Sequence, residues 1–542
     1  MDIAIKNGKI VKKVDEKKAE LIDASGMTVM PGGVDIHCHI AGAEVNSGRL
    51  LRPEDHVKDV EVKTALTRSG VGYSIPSTFT TGYRYSRMGY TTVMNPSMPP
   101  LEARHTHEEL DDTPMVDKAT YPLLGDWWFV LEHLRDGLIE ECAAHVAWMM
   151  TATKGYAIKI VNPGGLEAWG YGRNVKNLDD SVPYFNITPR EILRGLCTVN
   201  KLLNLPHTIH VHTNNLGKPG NYITALETMK CVEDLAEENR PVIHITHCQF
   251  CAFKGSDWQT MSSGAEEIAK YVNHHNHVTL DMGQVIFTDT TTMTADGPFQ
   301  YGLYTLTGNK WVNHDVETET TSGIVPFRYK RKSAVHATQW SIGLELALLI
   351  KDPWRIYMTT DHPNGGPFTA YPNIIAWLMS RVARKKTLNR ISKRARRKSL
   401  LPSIDRELSF YEMAIVTRAG QAKALSLTQK GHLGIGADAD VAVYDVNPEQ
   451  VDPSKKYKTV RRAFKKAAYT IKGGEVVVKD GQIVKPVFGK TFWVDVKTSL
   501  PTEVNDDIKQ KFREYWTVEY ENYPISENFL HVPAPISVKA EV

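Results

Sequence analysis

From Thr91 to Thr359, apolar strand-like runs alternate with stretches of helical periodicity. The runs include Thr91-Thr92-Val93-Met94, Ala157-Ile158-Lys159-Ile160-Val161, Thr208-Ile209-His210-Val211-His212, Pro241-Val242-Ile243-His244-Ile245 and Arg355-Ile356-Tyr357-Met358-Thr359. Helical segments such as Pro189 to Leu203 and Ala265 to Val272 lie between some of them. Repeated strand–helix alternation implies an α/β protein with a parallel sheet. Over so long a stretch the most economical closure is a TIM-like (β/α)8 barrel. No internal sequence repeat competes with that reading.

A barrel leaves both ends of the 542-residue chain over. The phrase "IKNGKIVKK" near the start returns as "IKGGEVVVKDGQIVKP" at residues 471–486. Two such hairpin phrases predict a small β-sandwich domain built from both termini. The expected boundaries are 1–31 and 429–490 for the two halves of that domain and 32–428 for the barrel. The tail, 491–542, is expected to dock on the body or on a partner. The hairpin pattern begins abruptly, so an upstream strand is expected beyond the start of this sequence.

The balance of 65 Lys and Arg against 62 Asp and Glu argues against nucleic-acid binding over the whole surface. No apolar run approaches the length of a membrane span. Met1 to Lys6 lacks a signal-peptide core, so a cytoplasmic location is expected. Six cysteines in so long a chain do not make a disulfide framework, which agrees with a reducing compartment. Residues 381–398, "RVARKKTLNRISKRARRK", are densely basic. They read as a solvated helix or lid segment in preference to a nucleic-acid or anionic-partner patch.

Histidines carry the functional signal. In Val34-Asp35-Ile36-His37-Cys38-His39, residues two apart on a strand face the same side, so His37 and His39 project into one space. Paired neutral imidazoles suit a zinc-like ion; hydrogen-bonded core histidines are the plain alternative. Lys159 is a lone cation inside an apolar strand, which is costly if unpaired. It reads either as a salt bridge at the barrel floor or as an amine that takes up CO₂ to give a carbamate bridging two cations. In "TIHVHTNNLG" and "VIHITHCQF", His212 and His247 lie nearer the strands' C-terminal ends, where barrel active sites sit. His210 and His244 are then interior or supporting groups. Asp361 in "YMTTDHPNGG" closes a strand before a Pro/Gly loop. That place suits a metal ligand that also shuttles a proton, or a helix cap or Asx-turn.

Three other motifs are weaker. His105 and His107 fall where a helix opens near Thr106; two apart on a helix they point in different directions, so a capping or substrate-contact role is expected. Cys248 and Cys251 form a single C-x-x-C without a second pair. Gly431 to Tyr444 lacks the Lys-Ser/Thr pair of a phosphate loop.

The order H-x-H, Lys, His, His, Asp resembles the binuclear amidohydrolase superfamily, whose members often carry a β domain assembled from both ends. Longer phrases go further: "MPGGVDIHCHIAGAEVNSGRLLRPEDH", "PSTFTTGYRYSRMGYTTVMNPSMPPLEARHTHEEL", "IKIVNPGG", "HVHTNNLGKPGN", "ITHCQF", "TTDHPNGGPFTAYP" and "KGHLGIGADAD". Together they resemble the A subunits of formylmethanofuran dehydrogenases and of the methylotrophic formyltransferase/hydrolase complexes. The resemblance covers nearly the whole chain except the first strand.

It implies a binuclear zinc site whose ligands are His37, His39, carboxylated Lys159, His212, His247 and Asp361, with Asp361 also catalytic. It implies condensation of formate with the amine of methanofuran, or hydrolysis of formylmethanofuran in reverse. Implied partners are the other subunits of a complex, including a molybdenum- or tungsten-pterin subunit in the dehydrogenase type, from which formate arrives through an internal channel. No pterin, iron–sulfur or nucleotide motif occurs here, so no redox cofactor is expected in this chain. The readings set against this one are a freestanding cyclic-amide hydrolase resembling dihydropyrimidinase and a non-catalytic scaffold.

Overall fold

Eight short parallel strands form a ring: Gly33–Asp35 (β1), Tyr90–Met98 (β2), Asp117–Pro122 (β3), Lys159–Val161 (β4), Ile209–His212 (β5), Ile243–Ile245 (β6), Val278–Asp281 (β7) and Ile356–Tyr357 (β8). The computed structural model describes residues 2–238, 240–317, 319, 321–498 and 503–540. Strands β1 to β3 pair in sequence order, as do β4 to β8. Two single bridges join these arcs, Leu123 with Lys159 and Cys38 with His362. At each joint one backbone bond is made, Leu124 N–H to the Lys159 carbonyl at 3.0 Å and His39 N–H to the His362 carbonyl at 2.7 Å. The ring is therefore closed, and the expected parallel barrel is the fold.

The strands are buried on both faces, as helix-covered parallel sheets are. Ile158, Ile160, Ile209, Val211, Ile243, Ile245, Val278 and Leu280 all join one core with the surrounding helices. Pro189–Leu202 shows how such a helix is written. Thr188 caps it in a reciprocal box with Glu191, Pro189 opens it, and Ile192, Leu193, Leu196 and Val199 are buried. Between β7 and β8 the chain inserts an antiparallel sheet of Asp289–Thr294, Thr321–Arg328 and Val312–Asp315, together with the helix Gly297–Thr307.

Strands from the two ends of the chain share a second sheet. Thr28–Pro31 pairs antiparallel with Val441–Tyr444, which continues into Tyr469–Lys472, Glu475–Lys479 and Gln482–Ile483. The hairpin Ala4–Lys6/Lys9–Val11 lies against it through Ile5. In the tail, Thr491–Lys497 and Pro533–Lys539 pair in parallel, and Thr491 joins β3 at Lys118. Residues 499–502 and 541–542 of the tail fall outside the described residues.

The terminal sheet is clamped to the barrel by buried charge. Asp117, at the start of β3, accepts from Lys472 at 2.7 Å and lies 2.5 Å from Lys430. Asp440 meets the same two ammonium groups at 2.7 and 3.0 Å. The lysines hold the Asp117 and Asp440 carboxyls below the usual carboxylate range, against a desolvation that pushes them up. The carboxylates in turn hold Lys430 above the usual lysine range. Asp117, Asp438 and Asp440 come close enough to suggest a cation site, but the lysine ammonium groups already neutralise them.

Asp117→Ala is expected to cost about 3–5 kcal/mol, because it removes the buried carboxylate that both ammonium groups share and leaves them crowded on Asp440. The depressed carboxyls contribute fully above the unfolded Asp value of about 3.9, and the contribution disappears as pH falls through their folded values. Denaturant unfolding at pH 7 and pH 3 tests this. The variant should be weaker at pH 7, and the gap should narrow in acid; equal midpoints at pH 7 would remove the clamp.

The basic segment is pinned at two points. It forms helices Arg381–Leu388 and Lys393–Lys398. Buried Arg384 donates to the carbonyls of Trp377, Leu378, Ile404 and Arg406. Lys398 donates to those of Gln259, Thr260 and Met261. Among the described residues no helix is long and apolar enough to cross a membrane.

Candidate functional site

At the C-terminal end of the barrel, six side chains come from five strands or the turns just after them, and none is more than 6% exposed. His37 and His39 follow β1, and their ring centroids are 5.4 Å apart. Asp361 follows β8. Its Oδ1 lies 3.0 Å from His37 Nε2 and 3.3 Å from His39 Nε2. His247, in the turn after β6, has its ring 5.3 Å from that of His37 and 4.9 Å from that of His212. His37, His247 and Asp361 offer ligand atoms that all lie within 4.8 Å of one another. Lys159 starts β4, beside His210 in the pairing register.

Two of these residues sit in the left-handed backbone region, His247 at φ 36° and Asp361 at φ 48°. Such conformations cost on the order of 1–2 kcal/mol in a non-glycine residue. The His247 N–H donates to Asp281 Oδ1 at 2.9 Å, and Asn364 Nδ2 donates to Asp361 Oδ1 at 3.0 Å. Gly283 has to be glycine for the same reason: a Cβ there would lie 2.3 Å from His247 Cβ.

Polar atoms inside folded proteins are nearly always partnered, yet several here are not. His37 Nε2, His247 Nδ1 and the Lys159 Nζ are buried without a hydrogen-bond partner. The 3.0 Å approach of Asp361 to His37 Nε2 lacks hydrogen-bond direction, which is how two ligands of one cation stand to each other. Burial, reinforced by Lys159, holds His37 well below the usual histidine range, and burial does the same for His247. Both rings are neutral, as ligation requires. Burial also pulls Lys159 down to about 8 and raises the Asp361 carboxyl. Neutral imidazoles with bare nitrogens beside a carboxylate fit a divalent cation of zinc type.

Around this group stands a shell of partners that the motifs did not announce. His212 Nε2 is 3.1 Å from Asp296 Oδ2, and Asp296 caps the inserted helix by accepting from Phe299 N–H. The Asp281 carboxylate receives Thr359 and the His247 amide on Oδ1 and meets His244 on Oδ2. His210 bonds His37 through Nε2 to Nδ1 at 2.9 Å. His210 and His244 are thus interior supports. The second candidate cation group, His37 with His210 and Asp281, has its atoms occupied by these bonds. Asp281 closes β7 as Asp361 follows β8, and a carboxylate at the end of an apolar run is a signal available in the sequence. Asp296 carried none.

Neither the His105/His107 pair nor the Cys248/Cys251 pair contributes to the candidate cation groups among the described residues. The helix carrying His105 and His107 opens at Ala103, three residues before Thr106. His107 is buried and bonds the Thr153 carbonyl. Cys248 and Cys251 lie in a buried turn, and Thr213 donates to Cys251 Sγ.

A closed parallel barrel with histidines, a lysine and an aspartate gathered at its C-terminal mouth is the frame of a metal-dependent hydrolase. The sequence profile of the amidohydrolase family matches residues 20–478, and the chain belongs to that family. Within it the likeness is narrow. The chain is 54% identical to Protein FwdA of Methanocaldococcus jannaschii over 100% of its own length and 96% of the relative's. It is 36% identical to the A subunit of the formyltransferase/hydrolase complex Fhc of Methylorubrum extorquens, over 93% of this chain and 89% of that protein. A crystal structure of the formyltransferase/hydrolase complex FhcABCD of that organism, in complex with methylofuran, matches with a TM-score of 0.89. That match is at 34% identity and covers 98% of this chain and 95% of the other. The resemblance to these proteins read from the sequence is borne out.

Proposed function

We propose that the chain hydrolyses the formyl amide of a methanofuran-type amine to formate, or forms that amide in reverse, as one component of a larger assembly. The carrying observation is the convergence of His37, His247 and Asp361 around bare ring nitrogens. End-to-end identity to Protein FwdA and to the A subunit of the Fhc complex supports the choice of substrate.

In this reading His37, His39, His212, His247, Asp361 and carboxylated Lys159 hold two zinc ions. The chemistry such ions supply when bound is polarisation of a carbonyl and acidification of water to a pKa of about 7. Lys159 is suited to carboxylation. Burial pulls its ammonium down to about 8; that ammonium gives up one proton to free the amine, and the amine takes up CO₂ with loss of a second, so a cation becomes an anion. Asp361 takes a proton from the attacking water at its carboxylate and returns it to the departing amine nitrogen, so water and amide become formate and amine. In synthesis it takes a proton from the attacking amine and gives it to the formate oxygen that departs as water. Burial of the six side chains limits the access of bulk water to that exchange.

A partner protein with a molybdenum or tungsten pterin belongs to this reading as the source or sink of formate. So does a cytoplasmic location, supported by six buried cysteines that are all unpaired. The test is formate release from the formyl amide by the purified protein or its native complex, with metal content recorded and dihydrouracil run alongside. Formate with about two metals per chain is expected. Turnover of dihydrouracil alone would reassign the chain to cyclic-amide hydrolysis.

A further inference from the structure

We infer that His207 and His210 are positioning residues that hold His37 in the one tautomer whose Nε2 is free to bind a cation. The inference rests on His37 being a metal ligand. It concerns two side chains that take no part in the chemistry proposed above.

Three buried imidazoles stand in a row through the barrel interior. His37 Nδ1 is 2.9 Å from His210 Nε2. His210 Nδ1 is 3.1 Å from His207 Nε2. His207 Nδ1 is 2.7 Å from the Ala424 carbonyl oxygen. None of the three rings is exposed at all. Each ring nitrogen in the row except the last, His37 Nε2, has a partner, and that last atom points among the site residues.

The row has a direction, set at its far end. A carbonyl oxygen only accepts, so His207 Nδ1 carries a hydrogen. Ala424 ends the helix Gly420–Ala424, and a helix end leaves carbonyls without amide partners. The neighbouring backbone is held in place as well: Tyr156 donates to the Leu425 carbonyl at 2.5 Å, and Ser426 to that of Pro206 at 2.6 Å. If His207 is neutral, its Nε2 accepts, so His210 donates from Nδ1. His210 Nε2 then accepts, so His37 donates from Nδ1. His37 Nε2 is left with a lone pair and no hydrogen.

The opposite arrangement needs an extra proton on His207, after which every bond reverses and His37 Nε2 carries a hydrogen. That places a cation in the barrel interior. Among the described residues no carboxylate hydrogen-bonds or ion-pairs with His207, so the cation would stand uncompensated. The carbonyl end also has no proton to give or take. The row is therefore a fixed brace and not a path for protons. It does for His37 what the Asp296 carboxylate does for His212, using a backbone oxygen two rings away.

Neutron diffraction from crystals of the zinc-loaded, deuterium-exchanged protein reads the arrangement directly. Deuterium is expected on Nδ1 of His207, His210 and His37. Deuterium on Nε2 of either His210 or His37 overturns the inference. Two variants test the consequence through the metal dissociation constant, measured by equilibrium dialysis with Zn²⁺. His207→Phe removes both donor and acceptor and should weaken binding about 10–100-fold, the usual effect of losing an outer partner of a ligating histidine. His207→Gln offers an amide N–H to Ala424 and an amide oxygen to His210, and should restore most of the affinity. Equal loss in both variants, or none in His207→Phe, would assign the residue to packing. If His207→Phe does not fold, the deuterium positions decide alone. A parent chain that binds no zinc refutes the metal reading itself, while misplaced deuterium in a zinc-loaded chain refutes only the brace.

Discussion

Asp361→Asn should lower turnover of the formyl amide by about 10²–10⁴-fold, the usual share of a positioned acid–base group, while the protein stays folded and keeps much of its metal. The substitution exchanges one carboxylate oxygen for an amide nitrogen and changes little else. Asn adopts the left-handed backbone as readily as Asp, so the φ of 48° at this position is tolerated. What is lost is a carboxylate able to hold and release a proton beside His37 and His39. Burial raises the Asp361 carboxyl above the ordinary Asp range, the direction a proton-exchanging carboxyl requires. Steady-state turnover and metal content, measured on the same sample, separate the two roles. Near-normal turnover would end the proton-transfer role. Loss of metal together with activity would leave Asp361 a ligand only.

Lys159→Ala is expected to lose bound metal by more than the 10–100-fold or so that an outer partner commands, and activity with it. The Lys159 ammonium has no hydrogen-bond partner, is 2% exposed and lies among imidazoles. A buried unpaired cation at a cation site is a contradiction that carboxylation resolves, since it reverses the sign of the charge. Short carboxylic acids such as acetate should partly restore metal and turnover in the variant by entering the space the side chain leaves. A Lys159→Ala protein that is metal-replete without added acid would argue against the carbamate. The variant should unfold no more readily than the metal-free parent, because the buried ammonium it removes makes no hydrogen bond.

Much of the site was legible because its chemistry is written at strand ends. His37, His39, His212, His247 and Asp361 each lie at or just beyond the last residue of a barrel strand. A polar residue there, next to an apolar run, has few structural reasons to exist. The supporting groups were not legible in the same way. Asp296 lies in an insertion between β7 and β8, and its approach to His212 depends on how that insertion folds back over the barrel. His207 precedes its strand and reads as an ordinary loop histidine. Its partner is a backbone carbonyl 217 residues away, and a carbonyl leaves no mark in a sequence. The salt-bridge clamp is similar: Asp117, Lys430 and Lys472 come from three distant segments, and although Lys430 and Lys472 lie in marked phrases, nothing in those phrases points to Asp117.

The sequence by itself determined the donor types, their order along the chain and the alternation that makes a parallel barrel. Periodicity and residue chemistry are local properties, readable without knowing what lies across the sheet. In the proposed reading, tertiary structure decides which histidines are ligands and which are supports. His210 and His212 are two apart on β5, so the strand period turns both inward and cannot separate them. Height along the barrel axis separates them, and that height is set by ring closure at Leu123–Lys159 and Cys38–His362. Closure places His210 level with Lys159 and under His37, where it becomes a brace, and leaves His212 beside His247 at the open end. Register between strands far apart in sequence is a property of the closed ring, and only the folded chain has one.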